Sequence, residues 1–217
     1  MVMKELQIIK IEHLDSLPLK DCGGYMEILC RKQSIDCINW PQASDYQPLS
    51  AFSIAYSTRY LYIHFVVRGA DLRATHAVNL SPVADDSCVE FFMKMADSPE
   101  YWNFEFNCIG TTNASHRTNR INPTRLNDSE IGSIKRFSSC GNAPFEEKSG
   151  IFTWTLTIAI PLSLVGLNGE VLPEFIMGNF YKCGGKTSHP HYLSWSPILS
   201  EKPHFHEPKY FGKLTFA

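Results

Sequence analysis

The side chains best suited to bind a polar ligand lie on two short strands within residues 85–107. Each strand alternates between apolar and hydrogen-bonding residues, and side chains two apart on a strand share a face. One face is therefore predicted to pack into a core, while the other presents carboxylate and amide groups on a rigid sheet. The core-facing residues of the second strand are Trp102, Phe104 and Phe106. The candidate ligand-binding groups are Glu90, Glu105 and Asn107.

The same carboxylates permit a glycosidase hypothesis, because hydrolysis of a glycosidic bond requires two carboxyl groups that flank it. Glu90, Glu105 and Asp86 are the candidates. The sequence indicates no deep cleft around them, and it contains no G-x-S-x-G, H-E-x-x-H or P-loop motif. Non-catalytic binding is therefore the preferred hypothesis, and no catalytic residue is assigned.

Composition excludes several classes of partner. The 217 residues include 20 basic and 22 acidic side chains, giving a net charge of -2 without a basic stripe, so nucleic acid and anionic membrane surfaces are not expected partners. No apolar run approaches the ~20 residues of a membrane span. The first fifteen residues contain acids and no apolar segment of a signal peptide. The seven scattered cysteines form no C-x-x-C pair and are expected to be mostly buried free thiols.

Short strand-like runs bounded by turn residues recur along the chain and predict one all-β domain over residues 1–217. The expected fold is an antiparallel β-sandwich of two sheets, immunoglobulin-like or jelly-roll-like, with at most short helices. A short helix is expected at Leu162–Val165, and the polar segment 110–132, which carries Arg117 and Arg120, is expected to be a long loop. The predicted strands are Met26–Cys30, Ala51–Ser57, Leu61–Val67, Val89–Met95, Tyr101–Asn107, Phe152–Ile160, Phe175–Lys182, Tyr192–Trp195 and Phe211–Phe216.

Seven segments between about residue 51 and residue 217 form an ordered series of motifs. They are Leu61–Val67, Asp86–Phe92, Phe104–Asn107, Trp154–Pro161, Gly178–Phe180, Ser194–Pro197 and His206–Gly212. In these motifs and in their order, the chain resembles the family 9 carbohydrate-binding modules, the β-sandwich domains often attached to xylanases.

The resemblance implies a sugar site on one face of the sandwich, where aromatic rings flank the sugar and polar groups bind its hydroxyls. Glu90 matches the motif glutamate, Phe205 takes the place of one stacking tryptophan, and Lys182 stands near a polar binding position. Arg117 and Arg120 are expected to form one wall of this sugar site. The second stacking tryptophan is absent at residues 82–84, so His76, His204 and His206 are candidates to replace it.

The resemblance also leaves other hypotheses open. Related sandwiches carry haem through an axial ligand, for which His64 is the candidate, although a buried, hydrogen-bonded histidine is the simpler interpretation. Some family members hold structural calcium, to which Asp85, Asp86 and Asp97 could contribute. The histidine pairs at 189/191 and 204/206 could bind a metal. The preferred interpretation is that they are surface histidines in loops, and no metal is assigned.

The sequence thus predicts a non-catalytic module that binds a mono- or oligosaccharide of plant-type polysaccharide in a carbohydrate catabolic system. A polysaccharide-degrading enzyme is the predicted protein partner. The resemblance suggests an exported polysaccharide-degrading system, whereas the sequence shows no signal peptide.

Overall fold

The computed structural model describes residues 3–217 and consists mainly of strands. Two α-helices and four short 3-10 helices interrupt them, the latter at Glu12–Ser16, Val83–Asp85, Leu162–Val165 and Pro208–Tyr210. The α-helices are α1 (Leu19–Leu29) and α2 (Asp128–Ser133). The strands are β1 (Glu5–Lys10), β2 (Gln33–Ser34), β3 (Cys37–Ile38), β4 (Leu49–Tyr56), β5 (Tyr60–Ala74), β6 (Cys88–Met95), β7 (Tyr101–Asn107), β8 (Thr112–Arg117), β9 (Pro123–Arg125), β10 (Lys135–Ser138), β11 (Phe145–Pro161), β12 (Phe175–Cys183), β13 (Tyr192–Ser194) and β14 (Gly212–Phe216).

The strands form two layers. In the first layer the order is β10-β11-β5-β4, with β2 beside β4. In the second layer it is β14-β12-β6-β7-β8-β9, with β13 beside β12 and β3 beside β13. The layers face one another through their apolar sides, since Phe52 of β4 stacks on Phe180 of β12 with ring centroids 3.5 Å apart. The predicted β-sandwich is confirmed.

Strand β1 departs from the expected antiparallel arrangement. Its first residues pair with β14 and its last two with β4, and both pairings are parallel. One strand therefore belongs to both layers and closes one side of the sandwich.

The predicted alternation on β6 and β7 is also observed. Val89, Phe91, Phe104 and Phe106 are fully buried between the layers, and Glu90 and its neighbours occupy the outer face. The residues that present the polar groups are thus fixed by the core on the reverse side of the same strands.

Two sequence predictions about elements are wrong. Met26–Cys30 is not a strand, because residues up to Leu29 belong to α1, which packs Cys22 and Met26 on the outer face of the first layer. Segment 110–132 is not one long loop, because it contains β8, β9 and most of α2. Asn127 caps α2 by accepting a hydrogen bond from the Glu130 backbone. The polar residues of this segment therefore belong to regular secondary structure.

Neither α-helix of the described chain has the length and apolar character that crossing a membrane requires. All seven cysteines are free, and five of them are buried, as expected.

Candidate functional site

A cleft of about 350 Å³ opens on the outer face of the second layer, between strands β6, β7 and β12 and the segment that precedes β14. This volume lies in the range of small-ligand sites. Its lining combines carboxylates, cations and aromatic rings, namely Ala84, Asp85, Glu90, Glu105, Arg120, Cys183, Gly185, Lys186, Tyr192, Pro203, His204, Phe205 and His206.

Two glutamates form the floor of the cleft. Glu90 of β6 and Glu105 of β7 are cross-strand partners, and their exposed fractions are only 3% and 8%. Burial raises the pKa of Glu90 well above its usual value, and the neighbouring Cys183 and Glu105 raise it further. Burial also raises the pKa of Glu105. The floor therefore holds carboxyl groups that have little contact with water and that favour hydrogen bonding to a ligand which excludes water.

Glu105 is held in place by amides. The side chains of Asn103 and Asn113 each donate a hydrogen bond of 2.9 Å to one of its two carboxyl oxygens. Glu90, in contrast, receives a single hydrogen bond among the described side chains, a 3.0 Å contact from the Cys183 thiol to Oε1. Glu90 therefore retains more capacity to accept hydrogen bonds from a ligand.

The predicted arginine wall is present in a modified form. Arg117 of β8 donates from Nε to Asn103 Oδ1 at 2.6 Å and from Nη1 to the Arg120 carbonyl oxygen at 2.7 Å. Only Arg120 lines the cleft, and it is exposed. Arg117 thus supports both the floor and the wall without reaching into the cleft.

The aromatic surfaces of the cleft come from Phe205 and Tyr192. Phe205 stacks on Tyr181 with centroids 4.2 Å apart and planes inclined by 14°, which leaves it 8% exposed. Tyr192 is half-buried and lies beside Cys183 across β12 and β13. Sequence reasoning did not identify Tyr192, because the short strand β13 offers too few residues for a pattern.

Of the histidines proposed to replace the missing tryptophan, His204 and His206 line the cleft. His204 lies 3.3 Å from the Glu207 carboxylate. His206 hydrogen bonds to the Tyr101 hydroxyl at 3.0 Å, and burial together with Arg117 and Arg120 lowers its pKa to about 3. His206 is therefore neutral near pH 7. His76 lies outside the lining and contacts Asp85 at 3.6 Å.

Besides Arg117, two further predicted ligand-binding residues do not line the cleft. Asn107 is fully buried and donates to the His76 carbonyl and to Asp86, while its Oδ1 accepts from the Thr111 backbone. It caps the turn after β7. Lys182 pairs with Val89 and therefore points to the inner side of the sandwich, opposite Glu90.

The buried Lys182 ammonium group has its own partners. Its Nζ donates to the Cys183 carbonyl at 2.6 Å and meets His191 Nε2 at 2.7 Å. His191 Nδ1 bonds to the His189 carbonyl, so Nε2 carries the free lone pair that accepts from Lys182. The His189/His191 pair thus supports a buried lysine, and it is not a metal site in this arrangement.

The calcium hypothesis finds no support in the aspartate side chains. Both carboxyl oxygens of Asp86 already accept hydrogen bonds, from Thr75 on one side and from His76 and Asn107 on the other. Asp85 pairs with Lys186 at 2.9 Å. Within residues 3–217, the three aspartates do not converge as a group of metal-ligating side chains.

His64, the haem candidate, lies on the outer face of the first layer beneath α1. Its ring is buried and bonds to Thr157 at 2.9 Å, in agreement with the simpler interpretation. The ring also packs tightly against Gly23 of α1, so this side of His64 is filled by protein.

The family model for carbohydrate-binding family 9 matches residues 25–216 of the chain. This protein belongs to carbohydrate-binding family 9. The match begins earlier than the motifs predicted, because it also includes the second half of α1 and strands β2 and β3. No curated protein sequence matches the chain.

Solved structures agree with the assignment to family 9. A candidate carbohydrate-binding protein from Bacteroides uniformis is 33% identical, with a TM-score of 0.91 over 100% of both chains. A family 9 module from Caldicellulosiruptor kristjanssonii in complex with glucose is 12% identical, with a TM-score of 0.60 over 99% of this chain and 96% of its own. The same type of module with cellotriose is 11% identical, with a TM-score of 0.57 over 98% and 93%. The last two establish similarity of fold.

Proposed function

We propose that this family 9 protein binds carbohydrate without hydrolysing it, and that the cleft above Glu90 and Glu105 is the binding site. The observation that carries the proposal is the position of Glu90. The residue that matches the family's motif glutamate lies on the floor of a cleft whose walls contain the aromatic rings of Tyr192 and Phe205, an arginine and two histidines.

The chemistry of this cleft suits a sugar. A pyranose has apolar C–H faces, which pack on aromatic rings such as those of Tyr192 and Phe205, and hydroxyl groups that need both donors and acceptors. Glu90 supplies acceptors at the floor, and Arg120 supplies donors at the wall. Because the floor is buried, a hydroxyl group that enters loses water but gains hydrogen bonds in surroundings of low dielectric constant, where such bonds are stronger.

The arrangement of the carboxyl groups favours binding over hydrolysis. Glu90 and Glu105 lie side by side on one floor, so they contact a bound sugar from the same direction. An acid and a base that cleave a glycosidic bond must approach it from different directions. Glu105 is also restrained by two asparagine amides.

As the preferred ligands we propose glucose and short β-glucan oligosaccharides, since relatives of the same fold are complexed with glucose and cellotriose. Xylan and other plant-type polysaccharides stay predictions, as does a polysaccharide-degrading partner enzyme.

Calorimetric titration of the protein with glucose, cellotriose and xylotriose tests the proposal. Saturable binding is expected with at least one sugar, and chromatography of the incubated sugar should show no cleavage product. Cleavage that depends on Glu90 or Glu105 would establish a hydrolase instead. The proposal would be contradicted if neither these sugars nor longer glucans bound to a protein whose circular-dichroism spectrum shows that it is folded.

The variant Glu90→Ala sharpens this test. We expect it to weaken binding by about 1–3 kcal/mol, or roughly 5- to 150-fold in Kd, because a buried hydrogen bond between the carboxyl group and the sugar is lost. The control is Glu146→Ala on β11, which removes an exposed carboxylate outside the cleft and should leave the affinity unchanged. Equal affinities for the two variants would remove Glu90 from the site.

A further inference from the structure

Beneath the sugar cleft lie three buried side chains whose ligand atoms converge. The sulfur atoms of Cys88 and Cys183 and a carboxyl oxygen of Glu90 all lie within 4.8 Å of one another. Cys183 Sγ is 3.0 Å from Glu90 Oε1. This proximity follows from the sheet: Cys88 and Cys183 are cross-strand partners on β6 and β12, and Glu90 lies two residues beyond Cys88 on the same face.

Two thiols and one carboxylate form a donor set typical of zinc and cadmium. Metal–sulfur bonds of about 2.3 Å and metal–oxygen bonds of about 2.1 Å require ligand atoms roughly 3–4 Å apart in a tetrahedral site. The three side chains are already close to this spacing, so small rotations about their side-chain bonds would complete it. Thiolates select thiophilic cations over calcium or magnesium, which prefer oxygen ligands.

The cluster is accessible to an ion although its side chains are buried. Cys183 and Glu90 both line the cleft, and Cys88 lies directly behind them on β6. Three protein ligands leave a fourth position for water or another ligand. The Lys182 ammonium group, which would repel a cation, points to the opposite side of the sheet.

We propose that Cys88, Cys183 and Glu90 form a binding site for a thiophilic divalent cation, Zn²⁺ or Cd²⁺. Each thiol, together with the Glu90 carboxyl group where it is protonated, releases its proton to solvent on binding the metal, so the bound set carries three negative charges against the two positive charges of the ion. No electron transfer is involved. The buried position of the set makes these charges costly in the absence of the ion, and the ion compensates most of them.

Metal and sugar are expected to compete. Coordination engages the Glu90 carboxyl group that the sugar would use, so each ligand should lower the affinity for the other by the same factor. This consequence rests on the proposed sugar-binding function, whereas the metal site does not.

Titration of freshly reduced protein with Cd²⁺ alone tests the site, since cadmium thiolates absorb in the ultraviolet through charge transfer. We expect the absorption to saturate at one Cd²⁺ per chain. Cys88→Ser and Cys183→Ser should each lose most of it, with the fold checked by near-ultraviolet circular dichroism. Glu90→Gln, which keeps the shape of the side chain, should retain the absorption but weaken binding about tenfold or more.

The second thiol pair provides the matched control. Cys108 and Cys140 are close enough for each thiol to shift the pKa of the other, and neither lines the cleft. Cys140→Ser should therefore leave Cd²⁺ binding intact. Absorption that survives in Cys183→Ser but disappears in Cys140→Ser would overturn the proposal, as would the absence of saturable absorption in the reduced wild type.

Calorimetry with sugar, in the absence and presence of saturating Cd²⁺, then separates the two proposals. A weaker affinity for sugar in the presence of Cd²⁺ is the expected result for the wild type, and Cys183→Ser should not show it. If Cd²⁺ binds as described but no sugar binds under either condition, the metal site stands and the proposed function fails. An unchanged sugar affinity with Cd²⁺ bound would contradict the assignment of Glu90 to both ligands.

Discussion

The outer faces of the two layers carry similar residues and differ in what covers them. On the first layer, Ser53, His64 and Thr157 form a polar row across β4, β5 and β11, and α1 lies over it. On the second layer, Glu90 and Glu105 form a polar row across β6 and β7, and the segment before β14 leaves a cleft above it. Both rows are buried, and the second forms the floor of the cleft.

The difference shows that a buried polar row on a sheet does not by itself indicate a binding site. Because Gly23 has no Cβ atom, α1 approaches the first layer closely, and the His64 ring lies against the position that a Cβ atom of residue 23 would take. Glu90, in contrast, lines a cleft. The two rows therefore differ in what lies over them, a close-packed helix on the first layer and a cleft on the second.

The largest effect that tests this comparison is expected from Gly23→Ala. An ideal Cβ atom at this position lies 2.6 Å from the His64 ring, so we expect a loss of about 1–3 kcal/mol in the free energy of unfolding through overpacking. The neighbouring Gly24→Ala has no atom within 4 Å and should stabilise the helix by about 0.5–1 kcal/mol. Urea unfolding measures both, and sugar affinity should be unaffected. Equal stabilities would show that α1 does not pack tightly on the first layer.

On the second layer, acid should weaken the protein through His206. Its pKa of about 3 in the folded state lies below the usual 6.5 of the unfolded chain, so the unfolded state binds more protons as the pH falls. The stability is fully present above pH 6.5 and is lost toward pH 3, by about 2 kcal/mol between pH 6.5 and 5.

Urea unfolding at several pH values measures this loss. His206→Gln should reduce the slope between pH 6.5 and 5, whereas the exposed His13→Gln should not change it. Identical slopes for wild type and His206→Gln would show that this histidine titrates normally in the folded protein.

A smaller effect is expected from the aromatic wall. Tyr192→Ala should weaken sugar binding by about 0.5–1.5 kcal/mol, because an aromatic face is lost from the cleft. Tyr60→Ala, which removes a half-buried tyrosine from the edge of the first layer, is the matched control and should bind normally. Calorimetry that finds both variants equally weakened would argue against a direct contact from Tyr192.

The smallest effect is expected from Lys182→Met. This side chain points away from the cleft, so sugar affinity should be unchanged in calorimetry, although loss of the contact with His191 alters the interior. A marked loss of affinity in a variant of wild-type stability would place Lys182 in the site after all, as the family resemblance implied.

Much of the fold was predictable because alternation is strong where one face of a strand is buried. Tyr101–Asn107 was predicted with its observed bounds for this reason. The helix α1 was missed because Gly23 and Gly24 disfavour a helix in isolation, and only packing on the first layer compensates for them. Strands β8 and β9 were missed because their residues are largely polar and resemble a loop.

The site was predictable in part for the same physical reasons. Glu90, Glu105, Arg120, His204 and Phe205 were named from the sequence and line one cleft. The alternation that begins at the buried Phe180 would have placed Lys182 on the inner face, but the family position was given more weight. The contribution of Tyr192 depends on the pairing of β13 with β12, a long-range contact that no local pattern encodes.

The parallel pairing of β1 with β14 has a mechanical consequence. Because both strands run in the same direction, a load that pulls the start of β1 away from the end of β14 acts along the strands. The hydrogen bonds between them are then sheared together instead of opening one after another. A module that holds a polysaccharide while force is transmitted through its backbone would resist rupture best in this geometry.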